Sequence, residues 1–140
     1  MPDTQDITHI MSGLTLFADL SRPELQEVAH TFEEEWFSAG QRILRQGFKG
    51  AGFYVVIDGE ASVRIDGSER ARLSRGDFFG EMSLLLGEPP VADVVAEGPL
   101  RCVVLAGPEL GDFLQSHPTI MFRMLQAIAG RLRHSNQWRS

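Results

Sequence analysis

Phe79-Gly80-Glu81-Met82-Ser83-Leu84-Leu85-Leu86-Gly87-Glu88-Pro89-Pro90 is the stretch of this chain whose residue types and spacing could do chemistry. It is too short and too closely bounded by glycine to be another strand. A turn of helix starting at Gly80 would aim free backbone N–H groups outward, where they favour anions, and glycine lets the backbone approach a ligand closely. Glu81 cannot bind an anion, but it can accept hydrogen bonds from sugar hydroxyls. These residues therefore suit an anion cradle with one acidic member. They suit equally a plain β-arch closed by a capping glutamate, and the stretch itself does not separate the two.

Other candidates have plainer readings. His9, His30, His117 and His134 are scattered, with no His-x-His or His-Glu-x-x-His spacing, so a jelly-roll metalloenzyme would lack its ligands. Cys102 falls in an apolar strand pattern, as a small core residue does. As the only cysteine it excludes an internal disulfide and suits a reducing cytoplasm. No serine lies in a Gly-x-Ser-x-Gly elbow. Glu33-Glu34-Glu35 reads as a solvated strand start, and Met121 and Met124 as packing residues. The expectation is a protein with no catalytic residue and no metal site.

The elements that must position the stretch read as antiparallel β-structure between helices. Phe53-Tyr54-Val55-Val56-Ile57 is aromatic and β-branched, as strands prefer, and Asp58-Gly59 supplies a tight turn. Ala61, Val63 and Ile65 alternate with Ser62, Arg64 and Asp66, which predicts one buried and one wet face. Further turns fall at Asp66-Gly67 and Ser74-Arg75-Gly76-Asp77, and two apolar runs follow over 91–96 and 100–106. Short strands with regular turns suggest a sandwich, jelly roll or barrel. Before them, Ser21-Arg22-Pro23-Glu24 signals a capped helix with a capping-box glutamate. After them, 108–115 reads as a short helix and 118–136 as a long one. Met121, Met124, Leu125, Ile128 and Leu132 form its stripe, Ile120 and Phe122 widen its apolar surface, and its end is basic.

Composition sets the outer bounds. A chain of 140 residues has room for one domain. Its 43% hydrophobic and 23% charged residues mark an ordinary globular protein. No apolar run approaches the roughly 18 residues of a membrane span. The acidic, polar N-terminus does not read as a secretory leader. A net charge of −6 has the wrong sign for a chain devoted to gripping nucleic acid.

With these patterns in hand, the 79–90 stretch resembles the phosphate-binding cassette of the cyclic-nucleotide-binding domain family. Phe79-Gly80-Glu81-Met82-Ser83-Leu84 is similar to the first part of that cassette. Leu16-Phe17-Ala18-Asp19-Leu20-Ser21, the paired-glycine run from Gly40 to Gly47, the hairpin from Phe53 to Ala61, and His117-Pro118 resemble the family in the same order. The resemblance implies an eight-stranded jelly-roll β-roll in a single domain spanning 1–140. Its helices would occupy 7–32, its roll 33–107 and its C-terminal helices 108–136. It implies a ligand, cyclic AMP or cyclic GMP, held by Phe79, Gly80, Glu81, Met82 and Ser83, with Glu81 taking the ribose 2′-hydroxyl.

The family's cassette arginine has no counterpart here. Pro90 stands in its place, or Val91 if the alignment slips by one residue, and Val91 and Ala92 follow where the family has a small residue and alanine. A hydrogen bond to a charged group is worth about 1.5–3 kcal/mol, so its loss weakens anion binding about 10- to 100-fold. Arg72, Arg75 or Arg101 could substitute from another strand, and Asp93 would repel phosphate if it faced the pocket. Ser135 and Asn136 fall near the family's purine-recognising positions, and also suit a fraying helix end.

Three roles remain open on these residues. One is a cytoplasmic regulatory sensor for a cyclic nucleotide or another small anion, held weakly or in altered form. Another is a ligand-free homodimerisation module that buries Met121, Met124, Leu125, Ile128 and Leu132 against a second copy. The third is the effector domain of a transcription regulator. No contact with membrane is expected, nor direct binding of nucleic acid by this chain.

Overall fold

A computed structural model describes residues 4–48 and 52–136. The helical N-terminal part comprises α1 (Thr4–Ser12), a 3-10 turn (Thr15–Phe17) and α2 (Arg22–Thr31). The strands are β1 (Glu33–Phe37), β2 (Arg42–Leu44), β3 (Gly52–Asp58), β4 (Ala61–Ile65), β5 (Ser68–Leu73) and β6 (Phe78–Phe79). After the helix α3 (Glu81–Leu86) come β7 (Asp93–Ala96) and β8 (Leu100–Ala106). Helices α4 (Leu110–Ser116) and α5 (Pro118–Asn136) close the described chain.

The eight strands form two antiparallel four-stranded sheets, in the orders β1-β8-β3-β6 and β2-β7-β4-β5. This is the predicted β-roll with flanking helices. Strand β3 explains the layering. Phe53, Val55 and Ile57 point to the helices, and Tyr54 and Val56 point to the second sheet. Both faces of this strand are therefore buried, and its sequence is a continuous apolar run, not an alternation.

The helix-side core is knitted by aromatic edges. Phe32 lies 5.8 Å from Phe17, 5.4 Å from Phe113 and 6.3 Å from Phe53, and Phe53 lies 5.6 Å from Phe78. Offset and edge-to-face pairs of this kind add to the burial of apolar area. At α2, the Ser21 hydroxyl accepts from the Glu24 N–H at 3.3 Å, as predicted. The Glu24 carboxylate lies 3.3 Å from Nδ1 of His117, tying α2 to the α4–α5 junction.

Helix α5 corrects one expectation. Ile120 and Met124 are buried in the chain's own core, and Met121, Ala127 and Ile128 pack against it. Ile120 and Met124 are thus taken up by this core, whereas Met121 and Ile128 remain half-buried at its edge. The outward apolar strip is Phe122, Leu125 and Leu132, each about three-fifths exposed. The predicted stripe thus divides between two faces of one helix.

Candidate functional site

The glycine-led stretch forms a helical turn, not a strand. Gly80 adopts φ +93°, and a Cβ there would lie 2.4 Å from the Gly52 carbonyl oxygen. Only glycine lets β6 turn into α3 this close to β3. Helix α3 ends on Gly87, also left-handed, whose N–H donates to the Ser83 carbonyl. The Ser83 hydroxyl donates to the Glu88 carbonyl, which pins the following loop.

Between α3, that loop and the outer sheet lies a cavity of about 160 Å³. Its floor is Leu44, Val63, Leu73 and Val94, one from each strand of the second sheet, and Phe79 walls it. Phe79 is held flat on Tyr54, with ring centroids 4.8 Å apart and planes 3° from parallel. Gly80, Glu81, Met82, Ser83, Pro90, Val91 and Ala92 all line the cavity. Met82 and Val91 are exposed at its rim, whereas Pro90 is buried and its carbonyl accepts from the Gly47 N–H at 2.8 Å. Ser135 and Asn136 lie on the last turn of α5, and their side chains are outside the described residues.

Glu81 is the buried charge of the site, with 3% of the residue exposed. Its partner is Arg131, from α5. Nη1 of Arg131 donates to Glu81 Oε1 at 3.0 Å, and Nη2 donates to the Phe78 carbonyl at 2.8 Å. The guanidinium also lies 4.4 Å from the centre of the Phe78 ring. Burial raises the Glu81 carboxyl above the usual carboxylate range, opposed by its own backbone N–H and by Arg131. Glu81 Oε2 is buried and has no hydrogen-bond partner.

Arg131 is the residue that sequence reasoning missed as part of the site. A basic residue near a helix C-terminus suits the helix dipole and attracts no notice. Its i,i+4 neighbour Ala127 sits on the core-facing side of α5, and that was the available signal. The arginines singled out from sequence point elsewhere. Arg72 pairs with Glu69, Glu60 and Glu97 on the outer sheet, and Arg101 makes a bidentate pair with Glu34 at 2.9 and 2.8 Å. Neither they nor Arg75 line the cavity. Asp93 does not face it either: Oδ1 accepts from the Gln46 N–H at 2.7 Å, and Oδ2 lies 3.8 Å from Arg42.

Comparison with known proteins places this geometry. The chain is 35% identical over 99 residues to the cGMP-dependent protein kinase egl-4 of Caenorhabditis briggsae, an alignment covering 66% of this chain and 13% of the kinase. It therefore spans a small part of that relative. The catabolite activator protein of Thermus thermophilus superposes with a TM-score of 0.77 at 28% identity, over 88% of this chain and 60% of that one. A cyclic nucleotide-binding domain from Methylobacillus flagellatus superposes with a TM-score of 0.78 at 25% identity, over 96% of this chain and 80% of that one. No helix among the described residues is long and apolar enough to cross a membrane. The sequence profile of the cyclic nucleotide-binding domain matches residues 34–117, and the chain belongs to that family.

Proposed function

We propose that this chain is a cytoplasmic regulatory sensor, not an enzyme, whose ligand enters the cavity beside α3 and whose output is the position of α5. One observation carries the reading: the Arg131–Glu81 pair joins α5 to the cavity wall. A ligand that competes for Glu81 acts directly on that joint, and differential contact in two arrangements is what a switch requires. Cyclic AMP and cyclic GMP are the first ligands to test. With proline at position 90, their affinity is expected to be weak or altered. In a transcription regulator the moving helix would pass the signal to a further unit.

The test is a titration of the labelled protein with cyclic AMP and cyclic GMP into the millimolar range, followed by amide NMR. Resonances of 79–92 and of α5 around Arg131 are expected to move together. Movement in the cavity wall without α5 would refute α5 as the output. No movement anywhere would refute these nucleotides as ligands.

A second reading is favoured by the outward strip of α5. Phe122, Leu125 and Leu132 recur three and seven residues apart, the spacing of a seam between two parallel helices. On this reading the chain pairs with a second copy through α5, with or without a ligand. Light scattering at tens of micromolar should give a dimer, and Leu132→Glu should return it to monomer. A monomeric wild-type chain would defeat the pairing.

A further inference from the structure

Helices α1 and α2 leave between them an open cleft of about 760 Å³, within the roughly 300–1,000 Å³ of small-molecule sites. Its lining shares no residue with the cavity beside α3. Arg22, Gln26 and His30 line it at four-residue spacing along α2, so they stand on one face of that helix and span about 12 Å. His9 and Ser12 line it from α1. The buried Leu25, with Leu20 beside it, gives the cleft an apolar patch.

The donors of this cleft are unspent. The side chains of Arg22, Gln26, His9 and His30 make no hydrogen bond or ion pair with another of the described residues. No carboxylate among the described residues lines the cleft. Of the acids beside its residues in sequence, Asp19 pairs with Arg123 and Glu24 faces His117, while Glu27 is exposed outside the lining. In a chain of net charge −6, a cleft with a guanidinium and no acid is a local exception. A guanidinium presents parallel N–H groups that match two oxygens of a carboxylate or phosphate, and each amide or imidazole N–H adds a further donor.

We propose that the α1–α2 cleft is a second ligand site, which takes an elongated small anion. Arg22 holds a carboxylate or phosphate at one end, and Gln26 and His30 donate to oxygens further along. The distance from Arg22 to His30 exceeds the span of a single phosphate, so the ligand carries acceptors at both ends. The middle of the ligand lies against Leu20 and Leu25. This site is independent of the sensor reading, because it uses no residue of the cavity beside α3.

Amide and imidazole NMR of the labelled protein, titrated at constant ionic strength with inorganic tripolyphosphate and separately with adipate, tests the site. Saturating shifts are expected at residues 8–12 and 22–30, and Arg22→Gln should weaken binding at least fivefold. Saturation by one probe alone upholds the site and assigns its acidic group as phosphate or as carboxylate. Saturation by neither, or shifts confined to 79–92, would overturn it, and cyclic nucleotide binding at 79–92 would be untouched by that failure. An affinity left unchanged by Arg22→Gln would overturn it as well. Should that variant lose its fold, His30→Asn serves in its place: a loss of at least twofold is expected, and no loss overturns the site.

Discussion

Replacing Arg131 by glutamine removes the cation that, among the described residues, pairs with Glu81. Two charge-assisted hydrogen bonds are lost with it, at 3.0 and 2.8 Å, and Glu81 remains almost fully buried. Breaking a buried pair by deleting one partner costs about 3–5 kcal/mol. The Arg131 side chain is 42% exposed, so solvent already screens part of its charge. A discounted loss of about 1.5–3 kcal/mol follows. At about 2–4 °C per kcal/mol for a domain of this size, the melting temperature should fall by roughly 3–12 °C.

The pH dependence carries the sharper test. The Glu81 carboxyl titrates higher in the folded than in the unfolded chain because burial disfavours its charge. The folded state then holds more proton in the window between the two values. The contribution is present at low pH and is lost as pH rises through the folded value. Arg131 opposes the shift, so Arg131→Gln enlarges it. The deficit should be greatest above the raised Glu81 value and shrink as pH falls through it and Glu81 takes up its proton. Thermal unfolding followed by circular dichroism across this range measures it. Glu81→Gln in the Arg131→Gln background should recover at least half of the loss, since the stranded charge is gone. A deficit independent of pH, together with single-variant losses that add within about 0.5 kcal/mol, would refute the coupling.

Three further outcomes are expected. Gly80→Ala should cost about 2–3 kcal/mol or more by chemical denaturation, through the positive φ and the 2.4 Å approach to the Gly52 carbonyl; a loss under about 1 kcal/mol would mean that β6 and α3 join differently. Arg101→Ala should lower the urea midpoint by the equivalent of about 2–3 kcal/mol, because Arg101 and Glu34 form a bidentate pair with side chains only 11% and 15% exposed and Trp36 covers the guanidinium at 5.0 Å. Cys102 is fully buried and its thiol is pushed up to about 12 by burial, so a thiol reagent should react only after unfolding; rapid native labelling would contradict the burial.

The fold was legible where burial leaves a period in the sequence. Strand β3 announced itself through β-branched and aromatic residues with turns beside it. The polar face predicted for β4 is not wet: Ser62 is fully buried, its hydroxyl donating to Glu97 and accepting from Arg64. Gly80 and Gly87 marked both ends of α3 because each requires a backbone that other residues adopt poorly. The site was legible as a segment of chain but not as a cavity. Arg131 meets Glu81 across fifty residues, and no local pattern encodes such a pair. Asp93 could equally have faced inwards, and its turn towards Gln46 is a property of the β2–β7 edge. The stripe on α5 misled for a related reason. A helix apolar over most of its circumference gives no sign of which residues its own core will claim.

Arg131 and Leu132 are neighbours in sequence, one gripping the cavity and the other standing on the outward strip. At 3.6 residues per turn they project about 100° apart around the same axis. A roll of α5 that withdrew the guanidinium would swing the leucine with it, so anything clamped on the outer strip resists the roll. In a chain paired through that strip, guest occupancy and self-association would share one mechanical degree of freedom. The half-saturating ligand concentration would then drift as the protein is diluted.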